Sequence, residues 1–470
     1  MRWACLLFPH LALDAVLRRH PSPDAPLALV TGPAHRRVLF AVNAPAGALG
    51  LRSGMSVTAA QAITTTCALT EYDEEATVRC RRLLAAWAYR FSSLVSTDFS
   101  GAIVLEVAQS LMLFGPWPRF EARLREELTD LGFRHRIVVA PNAVAARTLA
   151  NLHDGMGVDD AAMERALGQV PVEHSGLDGD AATAFARMGL RRLRQVFALP
   201  RDTIARRFPP TVLAHLDALR GADKTPLTCY QPPDWFDEKM EFDHEVELHT
   251  ALLFPLRRLT SDLGAYLSGR DGGVERFVLR FEHESVPATQ IVVGLLAPER
   301  NPNTLFDLAR GRLEQAEIAA PVRGMRLTAR ELPPFVPASR DLFDMRAQQA
   351  MPWEQLRERL RARLGDDAVH SLSTQLDHRP ELAWSEEIQG KGAPTALADL
   401  RPGWLLERAI PWRGPAPHIL AGPERIESGW WDSGDVRRDY YVVESSTGQH
   451  VWVYSAPDEN GPFMVHGWFA

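Results

Sequence analysis

Residues 103–115 read Ile103-Val104-Leu105-Glu106-Val107-Ala108-Gln109-Ser110-Leu111-Met112-Leu113-Phe114-Gly115, a long apolar run with a polar pair, Gln109-Ser110, in its middle. Apolar flanks on both faces predict a central strand covered on both sides, with a turn at Gly115-Pro116. A second such segment opens the chain, Trp3-Ala4-Cys5-Leu6-Leu7-Phe8, and stops at Pro9. Two doubly covered strands require helices over both faces of a sheet.

At 470 residues the chain exceeds one ordinary core, so two to four domains are expected. Hydrophobic content of 46% and charged content of 24% fit a soluble globular protein. No segment has eighteen uncharged apolar residues, so no membrane span is expected. The opening strand is too short for a secretory signal. Four scattered cysteines read as reduced thiols in a cytoplasmic protein, and with no CxxC or Cys/His cluster no metal or other cofactor is expected. The net charge of −7 argues against a strongly electrostatic nucleic-acid binder.

Along the chain, helical spacing over 11–20, strands at 27–30 and 38–42, helices over 57–67 and 74–93, and a helix-strand-helix run over 117–152 predict an α/β sandwich. Beyond 170 the pattern is all helical, with short helices at 179–187, 191–198, 201–207 and 211–219. Residues 223–238, with Pro226 and Pro232-Pro233, read as a linker. A βαββαβ unit follows over 239–335. Residues 336–470 hold eight of the twelve tryptophans. There, 391–417 reads as a Pro/Gly-punctuated stretch, and 440–443, 450–454 and 463–469 as strands of a small β unit.

This order of parts resembles the Y-family (translesion) DNA polymerases over residues 1 to 335. Gly50-Leu51-Arg52-Ser53-Gly54-Met55 is similar to the family's fingers segment, and Val138 to Ala150 (VVAPNAVAARTLA) to its palm helix entry. Met188-Gly189-Leu190 falls where the thumb's helix-hairpin-helix glycine lies. The resemblance implies an α/β multidomain chain: palm and fingers over 1–165 (fingers about 20–75), a helical helix-hairpin-helix thumb over 166–222, the linker, a little-finger-like βαββαβ domain, and a C-terminal partner-binding region.

Polymerase chemistry needs two divalent cations held by carboxylates. In the register of the resemblance the four ligand positions are Leu7, Pro9, Gln109 and Ser110, and the triphosphate contacts are Ala44 and Gly47. None can do that work. The alternative is an active polymerase with relocated ligands, but Glu106, Asp14 and Asp98 read as ordinary solvated acids. The degenerate pattern, with the Trp/Tyr-rich end around Trp430-Trp431 and Tyr440-Tyr441, is similar to catalytically inactive Y-family-like proteins of bacterial damage-induced mutagenesis. That resemblance implies a hub for DNA, the sliding clamp (beta subunit), a RecA-like protein and an error-prone replicative-type DNA polymerase alpha subunit.

Four further features each carry two readings. Gly189 lets backbone approach a DNA phosphate or caps a helix C-terminus. Arg191, Arg192 and Arg194 contact phosphates or form a solvated basic face. Trp430-Trp431 is an interface anchor or the core of the C-terminal β unit. Ser339-Arg340-Asp341-Leu342-Phe343 resembles clamp-binding peptides of the form Q-L-x-L-F, its Leu342-Phe343 intact, or starts a helix.

Overall fold

The computed structural model describes residues 2–20, 22–223, 226–335, 353–365, 368–375, 377–387, 401–413, 415–432, 434–457 and 462–469. The chain separates into two units, Met1–Ala362 and Arg363–Ala470.

In the first unit, β1 (Trp3–Leu7) and α1 (Leu11–Leu17) precede a fingers-like insertion. That insertion contains β2 (Leu27–Thr31), β3 (Val38–Val42), α2 (Ala44–Ala48), α3 (Val57–Ile63) and β4 (Ala68–Glu71), with a sheet of order β3-β2-β4. The chain then forms α4 (Glu74–Tyr89), β5 (Val95–Ser96), β6 (Ala102–Glu106), α5 (Leu111–Phe114), α6 (Trp117–Asp130), β7 (Arg136–Ala140), α7 (Ala143–Ala150) and β8 (Met156–Gly157). The palm-like sheet runs β5-β6-β1-β7-β8, with β1 antiparallel to both neighbours. Strand alternation sorts its residues into two cores. Cys5, Leu7, Ala102, Val104 and Val138 pack with α7, whereas Ala4, Leu6, Ile103, Leu105 and Val139 pack with α4 and α6. The expected two-sided cover is therefore present.

The long strand over 103–115 is not. β6 ends at Glu106, whose buried carboxylate turns back to accept the N–H groups of Arg2 and Ala108, both at 3.1 Å, and of Gln109 at 3.4 Å. These bonds end the strand. Ser110 then starts the single turn α5, its hydroxyl donating to the Phe91 carbonyl.

The thumb-like part is helical: α8 (Asp160–Gly168), α9 (Gly179–Arg187), α10 (Leu193–Phe197), α11 (Arg201–Arg207) and α12 (Pro210–Arg220). The next domain is β9 (Phe236–Val246), α13 (His249–Gly269), β10 (Val274–Glu282), β11 (Thr289–Glu299), α14 (Pro302–Gln315) and β12 (Val322–Glu331). Its sheet is antiparallel, ordered β11-β10-β12-β9, with both helices on one face. α13 seats this domain on α4 so closely that a Cβ at Gly269 would lie 1.9 Å from the Ala86 carbonyl oxygen. Arg18 and Asp262 form a buried bidentate pair at the same junction. α15 (Trp353–Leu364) follows, its Arg359 paired with Asp307 at 2.6 Å.

In the second unit, β13 (Ser371–Thr374) pairs with β14 (Trp384–Glu387). A five-stranded antiparallel sheet holds β15 (Trp404–Pro411), β16 (His418–Ser428), β17 (Val436–Glu444), β18 (His450–Ser455) and β19 (Met464–Trp468), in the order β15-β19-β18-β17-β16. The expected hairpin is β17–β18. The strand β15 lies within the stretch 391–417 expected to be punctuated by Pro and Gly, and β16, just beyond it, was not among the expected strands. Trp430 and Trp431, 79% and 58% exposed, lie in the β16–β17 connection, so the core reading of that pair is overturned.

Candidate nucleic-acid interface

The palm site is built by β1 and its neighbours. Leu7 stands opposite Ala102 on β6 and Arg136 on β7, and Phe8 donates its N–H to the Gly101 carbonyl at 2.8 Å. Leu7 is buried among Cys5, Ala102 and Val104, and Pro9 is exposed in the turn that follows. This face is dry enough for burial to push the Cys5 thiol up to about 12, against the pull of Arg147.

The four degenerate positions do not share one site. Glu106 stands opposite Trp3, at the other end of β1 from Leu7, so Gln109 and Ser110 lie beyond about 13 Å of strand. The residues that face Leu7 are Gly101 and Ala102. The long-strand reading set the register too far along the chain, yet the corrected neighbours carry no carboxylate either.

Ala44 and Gly47 lie exposed on α2, whose N-terminus is capped by the buried Asn43. Of the alternative acids, only Asp98 is exposed, and it accepts the Thr228 N–H at 2.7 Å. Asp14 is buried and paired with Arg134 at 2.7 Å, and Glu106 is consumed by the turn, so neither is the solvated acid expected. Among the described residues no three His, Cys, Asp or Glu groups come together as a metal site.

In the thumb, Gly189 follows α9 with φ +79°, a conformation that favours glycine, and nothing lies within 4 Å of where a Cβ would stand. Gly189 and Leu190 donate to the carbonyls of Ala186 and Phe185, both at 3.0 Å, closing the helix. Gln195 Oε1 accepts from the N–H groups of Arg191 (2.9 Å) and Arg192 (3.0 Å), and Leu193 donates to Val170. The hairpin's backbone donors are thus already engaged, which corrects the expectation that they meet a phosphate directly. Side chains remain. Arg191 and Arg194 are exposed and make no ion pair among the described residues, whereas Arg192 is tied to Gln169 at 2.7 Å.

A second basic face was not singled out in the sequence. On the sheet surface away from α13 and α14, Arg280, Arg326 and Lys239 stand side by side across β10, β12 and β9, continued by Gln290 on β11. Arg326 is paired with Asp237, and Lys239 with Glu241 and Glu282 at 2.8 Å each. Arg276, Arg280 and Arg330 are exposed and make no ion pair among the described residues. The signal was available: alternation in β10 puts Phe277, Leu279 and Phe281 inward and Arg276 and Arg280 outward. The segment Ser339, Arg340, Asp341, Leu342 and Phe343 lies outside the described residues.

The site is thus a sheet of a mixed α/β fold in which Leu7 and the residues facing it, Gly101 and Ala102, carry no carboxylate. Residues 9–151 match the impB/mucB/samB family (IMS). Along its length the chain is similar to Protein ImuB of Caulobacter vibrioides: 26% identity over 460 residues, covering 90% of this chain and 100% of that one, in strains NA1000 / CB15N and ATCC 19089 / CIP 103742 / CB 15. Among solved structures it is loosely similar to DinB from Sulfolobus solfataricus, with TM-score 0.42 and 13% identity, covering 72% of this chain and 100% of that one. The insertion ternary complex of Dbh DNA polymerase gives TM-score 0.43 at 13% identity, over 70% and 98%.

Proposed function

We propose that this chain is a non-catalytic, DNA-binding scaffold of translesion synthesis and damage-induced mutagenesis, acting in the bacterial SOS response. It links the sliding clamp, the RecA-like protein ImuA and an error-prone replicative-type polymerase alpha subunit that performs the synthesis. One observation carries the reading: Leu7, where a metal-binding carboxylate is required, is buried against Ala102 and Val104. Two divalent cations have no charge compensation there. The similarity to ImuB over the whole of that protein supports the same reading. DNA is held by exposed arginines of the thumb and of the little-finger sheet, which act on the phosphate backbone. The clamp contact is assigned to Leu342 and Phe343. The test is primer extension by purified protein with Mg²⁺ or Mn²⁺, beside anisotropy with primer–template DNA. DNA binding without nucleotide incorporation is expected; template-dependent extension that co-purifies with the protein would overturn the proposal and favour relocated ligands.

A further inference from the structure

Where α4, the linker and the start of β9 meet, they leave a cavity of about 600 Å³, within the range of small-molecule sites. Part of its wall is aromatic. Trp235 is 52% exposed and Tyr230 half-buried, and Phe236 meets Tyr266 edge to face with centroids 5.3 Å apart. Much of the rest is basic, and the cations are unevenly paired. Arg326 is taken by Asp237, and Lys239 by Glu241 and Glu282. Arg79 reaches Asp73 at 3.2 Å and Glu75 at 3.6 Å, but both carboxylates are exposed, which makes such pairs weak. Its Nε is buried with no hydrogen-bond partner among the described residues. Arg82 makes no hydrogen bond or ion pair among the described residues, and the Tyr230 hydroxyl makes no hydrogen bond there either.

These groups select a ligand. The acids of the wall are Asp237, already paired, and Glu238, which Arg19 meets at 3.3 Å. Burial pushes the Glu238 carboxyl up to about 7, so near neutrality it carries only part of a negative charge. What stays free is a set of donors: the Arg82 guanidinium, the Arg79 Nε–H and the Tyr230 hydroxyl. Donors left unsatisfied call for an anion, and guanidinium groups match the oxygens of a phosphate. The exposed ring of Trp235 at the same cavity gives a flat base a face to stack on. We infer that this cavity binds a nucleoside monophosphate, with its phosphate on Arg82 and Arg79 and its base against Trp235. An aromatic amino acid fits less well, because its ammonium group would meet the guanidinium groups. The site is separate from Ala44 and Gly47 on α2 and calls for no metal ion. Arg79 and Arg82 stand on α4 and Trp235 leads into β9, so the ligand would fasten the palm-like part to the βαββαβ domain. Such binding depends neither on nucleotide incorporation nor on the partners of a scaffold.

The test is isothermal titration of the full chain with AMP and with GMP, beside adenosine and inorganic phosphate. Saturable binding of a monophosphate is expected, at least about tenfold tighter than that of adenosine or phosphate alone. Arg82→Gln and Trp235→Ala should each weaken it about tenfold. Both side chains are exposed, so folding is expected to survive, and circular dichroism checks it. The nucleotide should also raise the thermal midpoint of the unchanged chain and leave that of Arg82→Gln where it was. No saturable binding of either nucleotide at millimolar concentration would overturn the inference. So would equal affinity in all three chains, which would put the nucleotide elsewhere, or equal affinity for AMP and inorganic phosphate, which would show that no base is held. Arg82-dependent binding of a terminally phosphorylated oligonucleotide, with no binding of AMP, would also overturn it and reassign the cavity to the end of a strand.

Discussion

Glu238 shows what the interior does to a single charge. It lies 7% exposed on β9, lining a cavity of about 600 Å³ with Arg79, Arg82, Tyr230 and Trp235. Burial pushes its carboxyl up to about 7, outweighing Arg19, whose guanidinium is 3.3 Å away. The unfolded chain releases this proton near 4.5, while the folded chain keeps it until about 7. Stability therefore falls as pH rises through that window and levels off above it. Glu238→Gln should be more stable than the unchanged protein at pH 8, by up to about 3 kcal/mol, and equally stable at pH 4.5. Urea unfolding at the two pH values decides the matter; a stability gap independent of pH would show that Glu238 is ionised throughout. Its charged neighbours Asp237 and Lys239 disguise the residue, but strand alternation puts Glu238 with Phe236 and Met240 on the buried face of β9. Asp14 and Glu106 likewise read as surface acids until distant N–H and guanidinium groups claimed them.

At the level of elements, legibility followed periodicity. The βαββαβ domain and the short thumb helices were readable because each buries one face at a regular spacing. β16 was not: Gly422-Pro423 interrupts it, and the structure absorbs the break as a register shift between Ala421 and Glu424 on an edge strand. The end of β6 was missed for the opposite reason. Apolar residues continue past Glu106, but the chain has turned, so the palm register slid along with the expectation. The docking of α13 on α4 left no trace in sequence, since Arg18 and Asp262 are 244 residues apart. Asp262→Ala should cost about 3–5 kcal/mol, because it strands a buried guanidinium. Arg18→Met/Asp262→Leu should recover most of that loss. Thermal denaturation of the three proteins tests this, and a double variant as unstable as the single would show that packing, not charge, is lost.

For the whole molecule, charge divides where the two units divide. Residues 363–470 carry the entire net charge of −7, so residues 1–362 are electrically balanced and their exposed arginines act without that excess of acid. The basic faces assigned to DNA, around Arg191 and Arg194 and around Arg276, Arg280 and Arg330, all lie in the first unit. If phosphate contacts supply the affinity, the slope of log K against log salt counts those contacts, about 0.9 per phosphate on duplex DNA. A truncation after Ala362, placed at the boundary between the units, should keep that slope and bind primer–template DNA as tightly as the full chain or a few-fold more tightly, since like charge has been removed. Fluorescence anisotropy over a range of salt concentrations, with both chains checked for folding, measures the slope and the affinity together. A tenfold loss of DNA affinity with a shallower slope would place phosphate-binding groups in the second unit and reverse the division of labour proposed for the two.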